Sequence, residues 1–307
     1  MLQYRIEGNG LPLLLIHGWG VTYTIWQNLA PLLKSHFQLI MIELPGVDGS
    51  PEVDPNKPYY PACAEALEEL RQALDIEKWS ILAYSSGTRA GEAYLQRYPQ
   101  HVARAVFLCP VYLNEVCSLG LRLEWWLENT RPTLVNWALS DWRLYGLVLA
   151  VAFNGRPNDY VDDWTNEIEM QRVENLKRML HELPGKGRAP FEVPAISWVD
   201  TLFVWGRRDA LTDRPRRPRL NDVFIPANHS APMLAAPSVA QIVLPFLTEG
   251  KLVSTKRNWP GWKRPHIGPV SLSAERIQLL NLIRNASRRR LALARRHTLR
   301  SIRQLRS

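Results

Sequence analysis

The chain has 307 residues, 46% of them hydrophobic and 22% charged, which fits a globular protein of one or two domains with a sizeable core. No apolar run approaches the ~20 residues needed to span a bilayer. The start of the chain has no basic segment followed by an apolar stretch and a cleavage site, so a cytoplasmic protein is expected. The formal net charge of +9 conceals an asymmetry. From Lys251 onward there are 15 Lys/Arg against one acid, Glu275, a net of +14, and the residues before that point carry a net of −5.

In chain order, residues 2–7 read as a strand, and the apolar run Leu13-Leu14-Leu15-Ile16 as another. A helix is expected from about Thr24 to Ser35, with Ile25, Leu29, Leu32 and Leu33 on one face, followed by a strand from Gln38 to Ile42. Pro51 to Pro61 is rich in prolines and turn formers and reads as a loop. Ala62 to Leu74 carries Ala66, Leu67, Leu70 and Leu74 at helical spacing. Trp79 to Ala83 is a buried-strand pattern that runs into the small residues Ser85, Ser86 and Gly87. A helix follows from Arg89 and stops before Pro99. Ala105 to Leu108, Thr201 to Trp205 and Val223 to Pro226 are further strands, and Pro237 to Leu247 is a closing helix. Strands alternating with helices imply a mainly parallel sheet covered on both faces.

A strand, a sharp turn with serine and a helix form the context of a nucleophile elbow. The turn would lift the Ser85 hydroxyl out of the sheet and aim the Ser86 amide at the same point. Residues two before and two after the serine pass close together and must be small, and here they are Ala83 and Gly87. Taken alone, serine between small residues also fits an ordinary turn. The partners come from elsewhere in the chain. His17-Gly18-Trp19-Gly20 follows the 13–16 strand and would supply a second oxyanion N–H, from Trp19. Gly206-Arg207-Arg208-Asp209 and Asn228-His229-Ser230 each follow a later strand.

Serine, acid and histidine in that order, each after a strand, resemble the α/β-hydrolase family. The resemblance covers residues 1–113 and 201–249. The segment Glu43-Leu44-Pro45-Gly46-Val47-Asp48-Gly49-Ser50 is similar to the family's Asp-x-Pro-Gly-x-Gly-x-Ser, with Glu43 for Asp and one extra residue. Within the family, His17-Gly18-Trp19-Gly20, then Trp26 and Ser35-His36-Phe37, are similar to the pimeloyl-carrier-protein methyl ester esterases of biotin synthesis. Ala83 and Thr88 depart from that branch's Gly-x-Ser-x-Gly-Gly. The family implies an α/β-hydrolase fold with a helical lid inserted after the sixth strand. The expected division is hydrolase core over 1–113, lid over 114–200, core again over 201–250, and a basic linker and tail over 251–307.

On this resemblance the chain is a serine esterase or thioesterase, with Ser85 as nucleophile, His229 as base and Asp209 as its orienting acid. Glu115 is the next candidate for the acid. A serine nucleophile argues against the dehalogenase and epoxide-hydrolase branches, which use aspartate there, and no cofactor is implied. The lid holds Trp125, Trp126, Trp137, Trp142, Trp164 and Trp198, half of the twelve tryptophans. Trp125 and Trp126 are candidates for an apolar acyl pocket. The same tryptophans could equally serve only to fasten lid helices to the core.

Arg207, Arg208, Arg214, Arg216, Arg217 and Arg219 surround Pro215 and Pro218, so an irregular basic loop replaces the family's helix there. The remaining histidines show no paired ligand spacing, and Cys63, Cys109 and Cys117 have no Cys-x-x-Cys pattern. Inert buried thiols and no metal site are therefore expected, with Cys63 opening a helix and Cys109 in a strand. In the tail, Ile277, Leu280, Ile283, Leu299, Ile302 and Leu305 recur among arginines as a basic amphipathic helix. Residues 271–307 would contact an anionic membrane surface peripherally, and nucleic acid would have little use for the apolar stripe. A solvated extension is the plain alternative. The competing functional class is a non-catalytic hydrolase fold used for binding or as a scaffold.

Overall fold

A computed structural model describes residues 1–111, 130–131, 133, 167, 171–182, 199–209, 211–212 and 220–252. Its strands are β1 (Tyr4–Glu7), β2 (Leu11–Ile16), β3 (Phe37–Ile42), β4 (Trp79–Tyr84), β5 (Val102–Leu108), β6 (Asp200–Gly206) and β7 (Asp222–Ile225). They form one sheet in the order β1-β3-β2-β4-β5-β6-β7, in which only the β1–β3 pair is antiparallel. The described helices are α1 (Ala30–Leu33), α2 (Tyr59–Ala73), α3 (Gly87–Arg97), α4 (Val173–His181), α5 (Ala231–Leu234) and α6 (Ala236–Glu249).

Continuous apolar runs in β2 and β4 follow from burial on both faces. Leu13 and Leu15 point to one side of the sheet and Leu14 and Ile16 to the other, as the two-residue strand period requires. On the first side they pack with Trp26, Leu33, Val243 and Phe246, and so with α1 and α6. On the second side they meet Leu67 and Leu70 of α2 and Tyr94 of α3. This is the α/β-hydrolase arrangement, with the loops that follow β2, β4, β6 and β7 all leaving the carboxyl edge of the sheet.

Several expectations need correction. The helix expected over Thr24–Ser35 is two short pieces, a 3-10 turn at Tyr23–Trp26 and α1. Pro31 explains the break, since inside a longer helix it would lose a hydrogen bond and clash with the preceding turn. In contrast, α2 starts at Tyr59 inside the expected loop, because Pro61 falls in its first turn, where no N–H is needed. The Tyr59 amide donates to the Glu182 carboxylate at 2.5 Å, which caps that end from a distant segment. The segment expected as a lid follows β5, the fifth strand here. Cys109 lies just past β5 with φ 46°, not in the strand.

Of residues 114–200, the segment expected as a lid, only α4 and a few single residues are described. Glu115, Cys117, Trp125, Trp126, the basic residues 213–219 and the whole of 253–307, the tail segment 271–307 included, lie outside the described residues. Among the described residues no helix is long and apolar enough to cross a membrane.

Candidate active site

Strand β4 is buried along its whole length and ends at Tyr84. The next residue, Ser85, has φ 52°, a left-handed conformation that a residue with a side chain adopts only when its surroundings impose it. Its amide donates to the Leu108 carbonyl at 3.0 Å, which fixes the turn against the neighbouring strand. Ser86 is helical in φ and ψ and caps α3. A Cβ at Gly87 would stand 2.0 Å from the His17 carbonyl oxygen, so only glycine lets the elbow pass β2. A Cβ at Gly18 would likewise meet the Ser85 Cβ at 2.9 Å. Ala83 is fully buried under the turn, and Gly20 takes φ 70° on the far side.

The Ser85 Oγ lies 2.8 Å from His229 Nε2, and His229 Nδ1 lies 2.8 Å from Asp209 Oδ2. Asp209 sits in a tight turn just after β6. Its Oδ1 accepts the Leu211 and Thr212 amides at 2.8 and 3.0 Å, and its Oδ2 also accepts the Thr212 hydroxyl at 2.7 Å. Burial alone would raise the Asp209 carboxyl, but the His229 charge and these hydrogen bonds outweigh it and hold the group below the ordinary range. The Asp209 side chain is 1% exposed and that of His229 9%. A fixed carboxylate on Nδ1 leaves Nε2 to exchange a proton with Ser85.

Trp19 lies in the turn that follows β2, and its indole N–H donates to the Leu176 carbonyl of α4 at 2.9 Å. The His17 ring sits fully buried beneath this turn, 3.1 Å from Glu43 Oε2. The expected residues His17, Gly18, Ser85, Ser86, Gly87, Asp209 and His229 therefore converge at one edge of the sheet. Sequence reasoning missed Thr212, although aspartate with threonine three residues on is a turn signature that could have been found. It also missed Tyr84 and gave Glu43 no partner.

Cys109, Asp209 and His229 form a grouping whose donor atoms lie within 4.8 Å of one another. Burial pushes the Cys109 thiol well up, and the Asp209 charge pushes it further, so a thiolate ligand is disfavoured. Asp209 and His229 are already bonded to each other, which fits proton transfer better than metal binding.

A family model described as alpha/beta hydrolase fold matches residues 12–229. A pimeloyl-[acyl-carrier protein] methyl ester esterase of Photobacterium profundum is 31% identical over 142 residues, 46% of this chain and 49% of that protein. The one of Legionella pneumophila strain Paris is 47% identical over 75 residues, 24% of this chain and 30% of that protein. The matches thus span less than half the length of these relatives. Among solved structures, the enol-lactonase of Burkholderia xenovorans LB400 aligns with a TM-score of 0.65 at 21% identity, covering 81% of this chain and 96% of that one.

Proposed function

The chain belongs to the alpha/beta hydrolase fold family, and on that footing we propose that it is a serine hydrolase of carboxylic esters or thioesters. The observation that carries this reading is the continuous relay from Asp209 through His229 to Ser85, with both contacts at 2.8 Å. Ser85 attacks the carbonyl while His229 takes its proton. His229 returns that proton to the leaving group, and water then releases the acyl group by the same route. The amides of Trp19 and Ser86 stabilise the oxyanion, each worth roughly 3–4 kcal/mol by the cost of removing such a donor. Ser86 is suited to this because the first amides of a helix have no partner within the helix.

The relatives named as methyl ester esterases support an ester as substrate. Trp125 and Trp126 are proposed to wall an apolar acyl pocket. A fluorophosphonate probe is expected to label the protein at Ser85, with labelling abolished in Ser85→Ala. Undiminished labelling in that variant overturns the mechanism. A panel of esters and thioesters from acetyl to octanoyl then reads the acyl preference, and kcat/KM falling steadily with chain length contradicts an apolar pocket.

For residues 271–307 the proposal is peripheral contact with anionic lipid, supported by the tail's charge and apolar stripe. Co-sedimentation of the full chain with anionic vesicles at low salt is the check, and its absence removes the idea.

A further inference from the structure

Beside the turn that follows β2 lies a cleft of about 440 Å³, and none of Ser85, Asp209 and His229 is among its described lining residues. Its walls come from three places: the segment Thr22 to Thr24, the loop after β3 that holds Asp48 and Glu52, and Glu167 with Gln171 and Arg172. Three acids thus face one base. Asp48 and Glu52 are exposed, Arg172 is spent in an ion pair with Glu52, and Glu167 is half-buried.

Glu167 accepts the Thr24 hydroxyl at 2.5 Å and the Thr22 amide at 3.3 Å, but no cation pairs with it among the described residues. Burial raises its carboxyl above the ordinary range, the mark of a negative charge without enough compensation. Gln171 lines the same cleft and is 8% exposed. Neither the oxygen nor the nitrogen of its carboxamide has a hydrogen-bond partner. A buried amide left in this state costs stability, and an apolar side chain of the same bulk would not.

The ligand follows from what these groups lack. Glu167 calls for a cation. Gln171 Oε1 calls for a hydrogen on that cation, which a quaternary nitrogen does not have. Gln171 Nε2 calls for an oxygen acceptor, and a neutral one, because a carboxylate or phosphate would be repelled by the acids. A divalent metal fits poorly, since the three carboxylates are not gathered within ligand reach of one another.

We propose that this cleft binds an amino alcohol: a primary ammonium with a hydroxyl on the neighbouring carbon. The ammonium sits between Glu167 and Gln171 Oε1, and the hydroxyl oxygen accepts from Gln171 Nε2. The carboxamide turns toward the ligand by side-chain rotation, and its two ends are spaced to meet the nitrogen and oxygen of a folded 2-amino alcohol. Binding here does not depend on whether Ser85 turns over an ester.

Ethanolammonium chloride is titrated into the full chain at neutral pH and low salt, with saturation transfer to the ligand protons as the readout. Saturation is expected with a Kd on the order of 1 mM, in keeping with so small a ligand. Choline keeps the charge and the hydroxyl but has no N–H, and phosphoethanolamine adds an anion. Each is expected to bind about tenfold more weakly or worse. Glu167→Gln keeps an acceptor for Thr22 and Thr24 and loses only the charge, so ethanolammonium affinity should fall about tenfold. Gln171→Met removes the carboxamide without leaving a hole. It should lose about tenfold in affinity and, without ligand, melt a few degrees above wild type.

Absence of saturable ethanolammonium binding overturns the proposal, as does wild-type affinity in Glu167→Gln. Choline bound as tightly as ethanolammonium removes the role of the N–H donors and overturns the primary ammonium. Phosphoethanolamine bound more tightly overturns the neutral oxygen. A Gln171→Met protein that melts lower than wild type and binds as well shows the amide to be an ordinary part of the core and overturns its place in the site.

Discussion

The Tyr84 hydroxyl donates to the backbone carbonyl of His229 at 3.0 Å, and the two rings lie 5.3 Å apart. Tyr84 is the last residue of β4 and directly precedes Ser85, so the strand that delivers the serine also anchors the histidine backbone. Tyr84→Phe keeps the ring contact and removes the bond. Stability is expected to drop by about 1 kcal/mol, the net worth of such a bond. kcat should fall severalfold with KM unchanged, as His229 loosens. Denaturant unfolding and steady-state kinetics check the two halves, and an unchanged kcat means the anchor serves stability alone.

Ser85→Ala and His229→Ala are each expected to lower kcat by several orders of magnitude. The double variant should be little worse than either, because groups acting as a unit do not lose additively. Asp209→Asn is expected to cost on the order of 10⁴ in kcat through the wrong His229 tautomer. Thr212→Val removes one of the hydrogen bonds that orient the same carboxylate, and a loss near tenfold is expected, equivalent to about 1.4 kcal/mol. Near-wild-type rates in Asp209→Asn would move the acid elsewhere, with Glu115 as the first alternative.

The sheet was legible because buried parallel strands write themselves as apolar runs, as in Leu13 to Ile16. The elbow was legible because Ala83, Ser85 and Gly87 sit at fixed offsets from such a run. Proline was where the reading failed, since its effect depends on its place in a helix turn. Pro31 breaks a helix that the apolar spacing supports, while Pro61 sits harmlessly in the first turn of α2. Contacts between distant segments left no local trace. Nothing near Glu43 in the sequence says that it meets His17, and nothing near Tyr84 says that it meets His229.

Among the described residues, Glu68 on α2 is one group that makes the fold acid-sensitive. Its carboxylate takes the Arg71 guanidinium at 2.7 and 2.9 Å, the Tyr94 hydroxyl at 2.7 Å and the Gln72 amide at 2.9 Å. Arg71 is the largest influence, and against the cost of burial these bonds carry the group from an ordinary 4.5 down to about 2. The depressed value means the unfolded chain binds the proton more readily. The stabilisation is therefore complete above the unfolded value and is lost as pH falls toward 2. Between pH 6 and pH 3 this group alone should remove roughly 2 kcal/mol of stability. Urea unfolding of Glu68→Gln should show a correspondingly flatter acid limb, and an unchanged slope would assign the loss to other carboxylates.

Ala83 stands where the elbow pattern usually has glycine, and the opposing helix accounts for how the extra methyl fits. A Cβ added at Gly91 of α3 would lie 3.2 Å from the Ala83 Cβ and 3.2 Å from Phe107 Cε1. The methyl group has in effect moved from the helix to the strand, leaving α3 with a glycine in its interior. Gly91→Ala gains about 1 kcal/mol of helix propensity but overpacks a closed core, which typically costs 1–3 kcal/mol. The single variant is therefore expected to melt lower than wild type. Ala83→Gly with Gly91→Ala exchanges the methyl back and should recover most of that loss, leaving only the contact with Phe107 to relax. The cycle is read from four melting temperatures. A Gly91→Ala protein that melts higher than wild type would show that the elbow and α3 are less tightly packed than the 3.2 Å contact implies, and alanine at 83 would then need no compensating glycine.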